Sequence, residues 1–142
     1  AELVLNPGPR PERRALCFAR LADGTCVANA HLALAPRTGE AEDELRRAAE
    51  ACVAWAGSDP LILGGDLNIR PRSSSIYAEL RERFGLAAPT APDALDHLLA
   101  RGLTPAEPPR ALPPEDRELR SPSGLRLRLS DHAPVRGAFE RA

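Results

Sequence analysis

The sequence predicts an α+β domain, a sheet with helices layered against it, on three observations. Two short apolar runs, Arg13 to Leu21 and Thr25 to Leu32, flank Asp23-Gly24, a pair suited to a tight hairpin because glycine accepts positive φ. Apolar residues recur at helical spacing from Glu40 to Trp55. A third run, Pro60-Leu61-Ile62-Leu63, has the length and branched side chains of a buried strand and ends in Gly64-Gly65.

Taken in order, residues 1–12 carry three prolines and a glycine without periodicity and read as an irregular lead-in. The hairpin follows. In the first helix Leu45, Ala48, Ala49, Cys52, Val53 and Trp55 share the apolar spacing, while Glu40, Glu42, Asp43 and Glu44 load the start, where the macrodipole favours anions. Gly57 stops it. Beyond the Leu61 to Leu63 strand and Pro71, the cluster Ser73 to Ser75 caps a second helix running through Phe84 and ended by Gly85. Ala94 to Ala100 is a third strand candidate. Residues 104–124, dense in proline and charge, read as a long surface loop. Leu125 to Leu129 alternates leucine with arginine, either a half-buried strand or an extended approach to the next motif, and Val135 to Phe139 is a last strand.

With 142 residues and 43% hydrophobic composition, the chain is sized for a single domain with its own core. It has no apolar stretch of the roughly 18 residues a membrane helix needs and no signal-peptide pattern. It begins at Ala1 and has no methionine, the expectation of either a removed initiator or a segment of something longer. A net charge of −1 leaves no basic surface for non-specific nucleic-acid binding, and 4% aromatic residues offer few stacking platforms. All 19 basic residues are arginine, which reads as coding bias. Cys17, Cys26 and Cys52 lack metal-ligand spacing and read as reduced thiols, favouring a cytoplasmic setting.

The polar residues concentrate at strand ends. Asp66 and Asn68 leave the third run together, and side-chain alternation would project both to one face, suiting a hard cation or a phosphate with its attacking water. An Asx turn explains the same residues. The three histidines, His31, His97 and His132, all stand beside or within such strand ends, and histidine titrates near neutrality. Arg70, Arg72 and Arg101 are candidates for steering a phosphate or plain surface charge.

Four segments in order carry a resemblance: Asn29-Ala30-His31-Leu32, Gly65-Asp66-Leu67-Asn68, Leu95-Asp96-His97-Leu98 and Leu129-Ser130-Asp131-His132-Ala133-Pro134-Val135. From about Arg13 onward the chain resembles the endonuclease/exonuclease/phosphatase family, whose fold is similar to deoxyribonuclease I. The resemblance implies a phosphoesterase dependent on Mg²⁺ or Mn²⁺, acting on a phosphate ester, nucleic acid included. It further implies one β-sheet with outer helices, half of a four-layer α/β/β/α sandwich. By the same resemblance His31, Asp66, Asn68, Asp96 and His132 are catalytic; Asp66, Asn68 and Asp131 hold metal; His31, Asn68 and His132 bind phosphate; and Asp96 pairs with His132. Whether Asp66 or His132 is the base stays open, and His97 has no transferable role beyond structure or rim. In the family an N-terminal half supplies a metal-binding Glu and an Asn. Glu2 and Glu12 lie in the wrong context for that role, so the chain is expected to be a partial, C-terminal half-domain. Its sheet would then expose an apolar face that awaits the other half or self-associates, with a non-catalytic half-domain as the alternative function.

Overall fold

A computed structural model of the chain describes residues 2–6, 14–34, 38–87 and 89–141, with only the backbone described for 2–6 and 38. Five strands form one mixed sheet in chain order: β1 (Glu2–Asn6), β2 (Arg14–Arg20), β3 (Cys26–His31), β4 (Leu61–Asp66) and β5 (Asp96–Arg101). The β2–β3 pair is the hairpin around Asp23-Gly24, closed where the Asp23 carboxylate accepts the Thr25 amide at 2.9 Å. β3 and β4 run parallel, as the intervening helix α1 (Thr38–Ala56) permits, and β4 and β5 run antiparallel.

Alternation decides which face is covered. Leu16, Cys26, Ala28, Ala30, Leu61, Leu63 and Leu99 are buried on one face. Against them pack Leu45, Ala48, Ala49 and Cys52 of α1, with Ile76, Tyr77 and Leu80 of α2 (Ile76–Phe84). Both helices therefore lie on one side of the sheet. α2 begins after a 3-10 turn at Pro71–Ser73 and ends on Gly85, whose φ of 69° lets its N–H reach the Arg81 carbonyl. The serine cap is indirect: Ser74 Oγ, not Ser75, accepts the Ile76 amide at 3.1 Å.

Two segments read as irregular are ordered into strands. Glu2–Asn6 pairs antiparallel with β2, Leu3 opposite Leu16; the three prolines that suggested a lead-in all follow it. The rest of that segment, residues 1 and 7–12, lies outside the described residues. Within the expected 104–124 loop, β6 (Leu103–Ala111) pairs with β9 (Val135–Arg141). Pro108 and Pro109 fall where the register slips between Glu107 and Arg110, off the ladder, while Pro105 stays in register opposite Phe139 next to the first slip. After a 3-10 turn at Pro114–Arg117, β7 (Glu118–Arg120) pairs with β8 (Arg126–Arg128). Of the two readings of Leu125 to Leu129, the segment is a short strand but not half-buried: Leu127 is 48% exposed and faces Leu119 across the ribbon. No helix is long and apolar enough to cross a membrane, among the described residues.

Candidate active site

Register builds the site. His31, the last residue of β3, lies opposite Asp66, the last of β4, and Asp66 lies opposite Asp96, the first of β5. Three strands thus deliver an imidazole and two carboxyls in one row at one end of the sheet, at neighbouring-strand spacing of about 4.8 Å. His31 Nε2 is 3.5 Å from Asp66 Oδ2.

Gly65 makes the row possible. Its φ is 130°, and a Cβ there would meet the Ala30 carbonyl oxygen at 1.9 Å, so only glycine allows β3 and β4 to approach so closely. Beyond Asp66 the chain leaves the sheet, so strand alternation does not bring Asn68 beside Asp66. Asn68 takes φ 53°, a conformation asparagine tolerates, and its amide donates to Asp66 Oδ1 at 3.1 Å. The Asx turn and the convergence are therefore the same structure. The Asn68 side chain donates from Nδ2 to the Leu32 carbonyl at 2.9 Å, which leaves Oδ1 as its free acceptor.

His132 arrives from the turn between β8 and β9. Ser130 Oγ accepts the His132 amide at 3.1 Å, and Nδ1 of His132 donates to Asp96 Oδ2 at 2.7 Å, with Asp66 Oδ2 at 3.8 Å. The Asp96 hydrogen bond, reinforced by the charges of Asp96, Asp66 and Asp131, raises the His132 pKa above the usual imidazole value despite some desolvation. Its Nε2 is left for the cleft. Asp66, Asp96 and His132 offer ligand atoms all within 4.8 Å of one another. Asp131 lines the same open cleft of about 450 Å³ with His31, Asn68 and Ser130 but stands outside that cluster, at the exposed tip of the turn, its carbonyl taking a 2.7 Å bond from Arg117.

His97 is neither rim nor ligand but buried support. Its Nδ1 accepts the Thr90 amide at 3.1 Å, so Nε2 carries the proton and points to the carbonyls of Ala94 (3.0 Å) and Ile69 (3.3 Å). Desolvation dominates and lowers its pKa, keeping the ring neutral. Tyr77 packs edge-on against it at 5.0 Å and donates to the same Ile69 carbonyl at 2.8 Å. The segments after Asn68 and before Asp96 are thereby clamped together. Of the arginines proposed to steer phosphate, Arg72 pairs with Asp93 at 2.6 Å, and Arg101 lies opposite Leu61 at the far end of the sheet, bound to the Gly57 and Asp59 carbonyls. Sequence reasoning passed over Ser130 and the Leu32 carbonyl as site-forming groups; a backbone acceptor leaves no residue-type signal.

The mixed sheet with both helices on one face matches part of the deoxyribonuclease I-like fold, and the acid–imidazole cluster lies at its strand ends. Residues 2–132 match the model of the Endonuclease/Exonuclease/phosphatase family, and the chain belongs to that family. Among solved structures it is similar to the mannosyl-6-phosphatase Bt3783 of Bacteroides thetaiotaomicron, at TM-score 0.74 and 14% identity over 99% of this chain and 65% of that one. It is also similar to humanized D. rerio TDP2 (TM-score 0.64, 16% identity, 99% of this chain and 66% of that one). A third likeness is to the human Nocturnin catalytic domain with bound sulfate (TM-score 0.54, 20% identity, 92% and 53%). The chain thus spans about two thirds or less of the length of these proteins. No curated protein sequence matches it.

Proposed function

We propose that the chain carries the catalytic half of a phosphoesterase that hydrolyses a phosphodiester or phosphomonoester with a water nucleophile and a divalent cation. One observation carries the reading: Asp66, Asp96 and His132, from three separate segments of a chain in this family, place ligand atoms within 4.8 Å of one another at an open cleft. The donor set fits Mg²⁺ or Mn²⁺. Asp66 supplies a carboxylate and Asn68 a carboxamide oxygen, both hard donors, and an open cleft leaves room for the waters Mg²⁺ retains. In this reading Asp66 and Asn68 hold the ion, with Asp131 at the rim, and the ion when bound would neutralise charge on the phosphate oxygens.

The chain's own groups divide the remaining work. Asp96, accepting from Nδ1, holds the His132 ring and favours its protonated form, whose Nε2–H can donate to a phosphate oxygen as charge moves toward the leaving group. His31, 62% exposed at the cleft edge, is placed to contact the same phosphate from the other side. The Asp66 carboxylate and Asn68 Oδ1 orient the attacking water, and in this reading the Asp66 carboxylate beside it takes its proton. Nucleic acid, sugar phosphates and other phosphate esters share this chemistry. The test is turnover of bis(p-nitrophenyl) phosphate and p-nitrophenyl phosphate by the full-length protein: activity lost to chelator and restored by Mg²⁺ or Mn²⁺ supports the reading, and activity indifferent to chelator counts against it.

A second reading rests on the sheet face away from the helices. There Cys17 and Ala19 are exposed, and Val27, Ile62 and Leu98 are only partly covered. A non-catalytic half-domain would associate through this face, and sedimentation equilibrium distinguishes it by a dimer without chelator-sensitive turnover.

A further inference from the structure

Glu44 is fully buried in α1, is not among the residues lining the cleft, and takes no part in the chemistry described above. Burying a carboxyl is costly unless its oxygens are used. Glu44 Oε2 accepts the backbone N–H of Ala33 at 2.8 Å, eleven residues earlier, where the chain has just left β3. Ala33 is itself only 6% exposed, so water cannot replace that acceptor.

The bond sits in a short relay. Leu32, one residue before Ala33, donates its amide to the Asp66 carbonyl at 2.9 Å and accepts the Asn68 side chain on its own carbonyl at 2.9 Å. Asn68 in turn donates its amide to Asp66 Oδ1. His31 immediately precedes Leu32. The strand exit from His31 to Ala33 is therefore fixed on one side by the site residues themselves and on the other by Glu44 alone among the bonds described. Because the Leu32 carbonyl sets the direction of the Asn68 carboxamide, whatever sets Leu32 also sets which way Asn68 Oδ1 faces.

We infer that Glu44 is a positioning residue: by holding the Ala33 amide from the helix layer it fixes the Leu32 carbonyl, and through it the Asn68 carboxamide and the His31 strand end. The role bears on turnover only if the cleft hydrolyses phosphate esters, as proposed above, whereas the positions of Ala33 and Asn68 are measurable without any substrate.

Three variants of the full-length protein separate this from a bulk structural role. Glu44→Gln keeps an oxygen able to accept the Ala33 amide; Glu44→Asp keeps the carboxyl but withdraws it by about one bond length; Glu44→Leu removes the acceptor and keeps the volume. The readouts are NMR hydrogen exchange at the Ala33 amide and the Asn68 carboxamide, and kcat and KM for bis(p-nitrophenyl) phosphate with Mg²⁺. Glu44→Asp and Glu44→Leu are expected to speed both exchange rates by about tenfold or more. Their kcat should fall by about tenfold with KM changed less than about twofold, and Glu44→Gln should restore both readouts. If Glu44→Asp, folded, leaves Asn68 exchange at the wild-type rate, or if Glu44→Gln is as impaired as Glu44→Asp, the inference is overturned even when Glu44→Leu does not fold. Should wild-type turnover survive Asp66→Ala, the phosphoesterase reading fails, and the exchange data still decide the role of Glu44.

Discussion

Gly65 leaves the chain less freedom than any other residue near the cleft. Alanine there would combine backbone strain at φ 130° with a 1.9 Å contact on the Ala30 carbonyl. Gly65→Ala is therefore expected to cost about 2–4 kcal/mol, strain and forced separation of β3 from β4 together, read from the urea midpoint. His97 is the second sensitive point. His97→Leu orphans the Thr90 amide and strips a donor from the Ala94 and Ile69 carbonyls, at a cost of about 2–3 kcal/mol. The pH dependence follows from the direction of the shift. A folded-state pKa below 6.5 means the unfolded chain binds this proton more readily, so the His97 contribution is present above the ordinary imidazole value and is lost as pH falls below it. His132 acts the other way: its raised pKa stabilises the fold below the unfolded value and that contribution is lost as pH rises through the folded one, weakly because the side chain is 39% exposed. The urea midpoint of wild type should thus drop more steeply than that of His97→Leu on going from about pH 7.5 to 5.5; parallel profiles would contradict a buried neutral ring.

At the scale of elements, burial separates leucines that look alike in the sequence. Leu63, with no exposure in the centre of β4, should lose about 3 kcal/mol as Leu63→Ala. Leu127 on the open β7–β8 ribbon should change by less than about 0.5 kcal/mol as Leu127→Ala, and denaturation of both variants checks the contrast. The helices are joined by Arg46, which bonds Glu79 of α2 through Nε and Asp43 through a terminal nitrogen at 2.7 Å; the pair is partly open to solvent, so water and salt screen it. The same scale explains what was legible in the sequence. The hairpin, both helices and β4 carry strong local signals, namely an Asp-Gly turn, helical periodicity and an aliphatic run. β1 and β6 do not, because proline density in and around them speaks for irregular chain, while the pairing that makes them strands comes from other segments, β2 for β1 and the more distant β9 for β6. Asp66 and Asn68 were readable as a converging pair, although they meet through an Asx turn and a positive φ, not through strand alternation. Asp131 follows from the family resemblance alone: it lines the same cleft as Asp66 and Asn68, but no local pattern in the sequence marks it as a ligand.

At the scale of the molecule, the cleft exists only once the sheet is assembled. β3, β4 and β5 contribute one residue each to the row, and the turn after β8 adds His132 from 36 positions beyond Asp96. Such a site has no local nucleus, so its formation reports on the whole fold. The chain spans 65% of the length of Bt3783, and the sheet face opposite the helices is incompletely covered. Sedimentation therefore belongs beside any activity measurement. The most direct test of the account is Mg²⁺-dependent hydrolysis of bis(p-nitrophenyl) phosphate by the full-length protein and its Asp66→Ala and His132→Ala variants, with folding checked by circular dichroism. The account predicts that each folded variant loses at least about 100-fold in kcat/KM; wild-type turnover in either would contradict it.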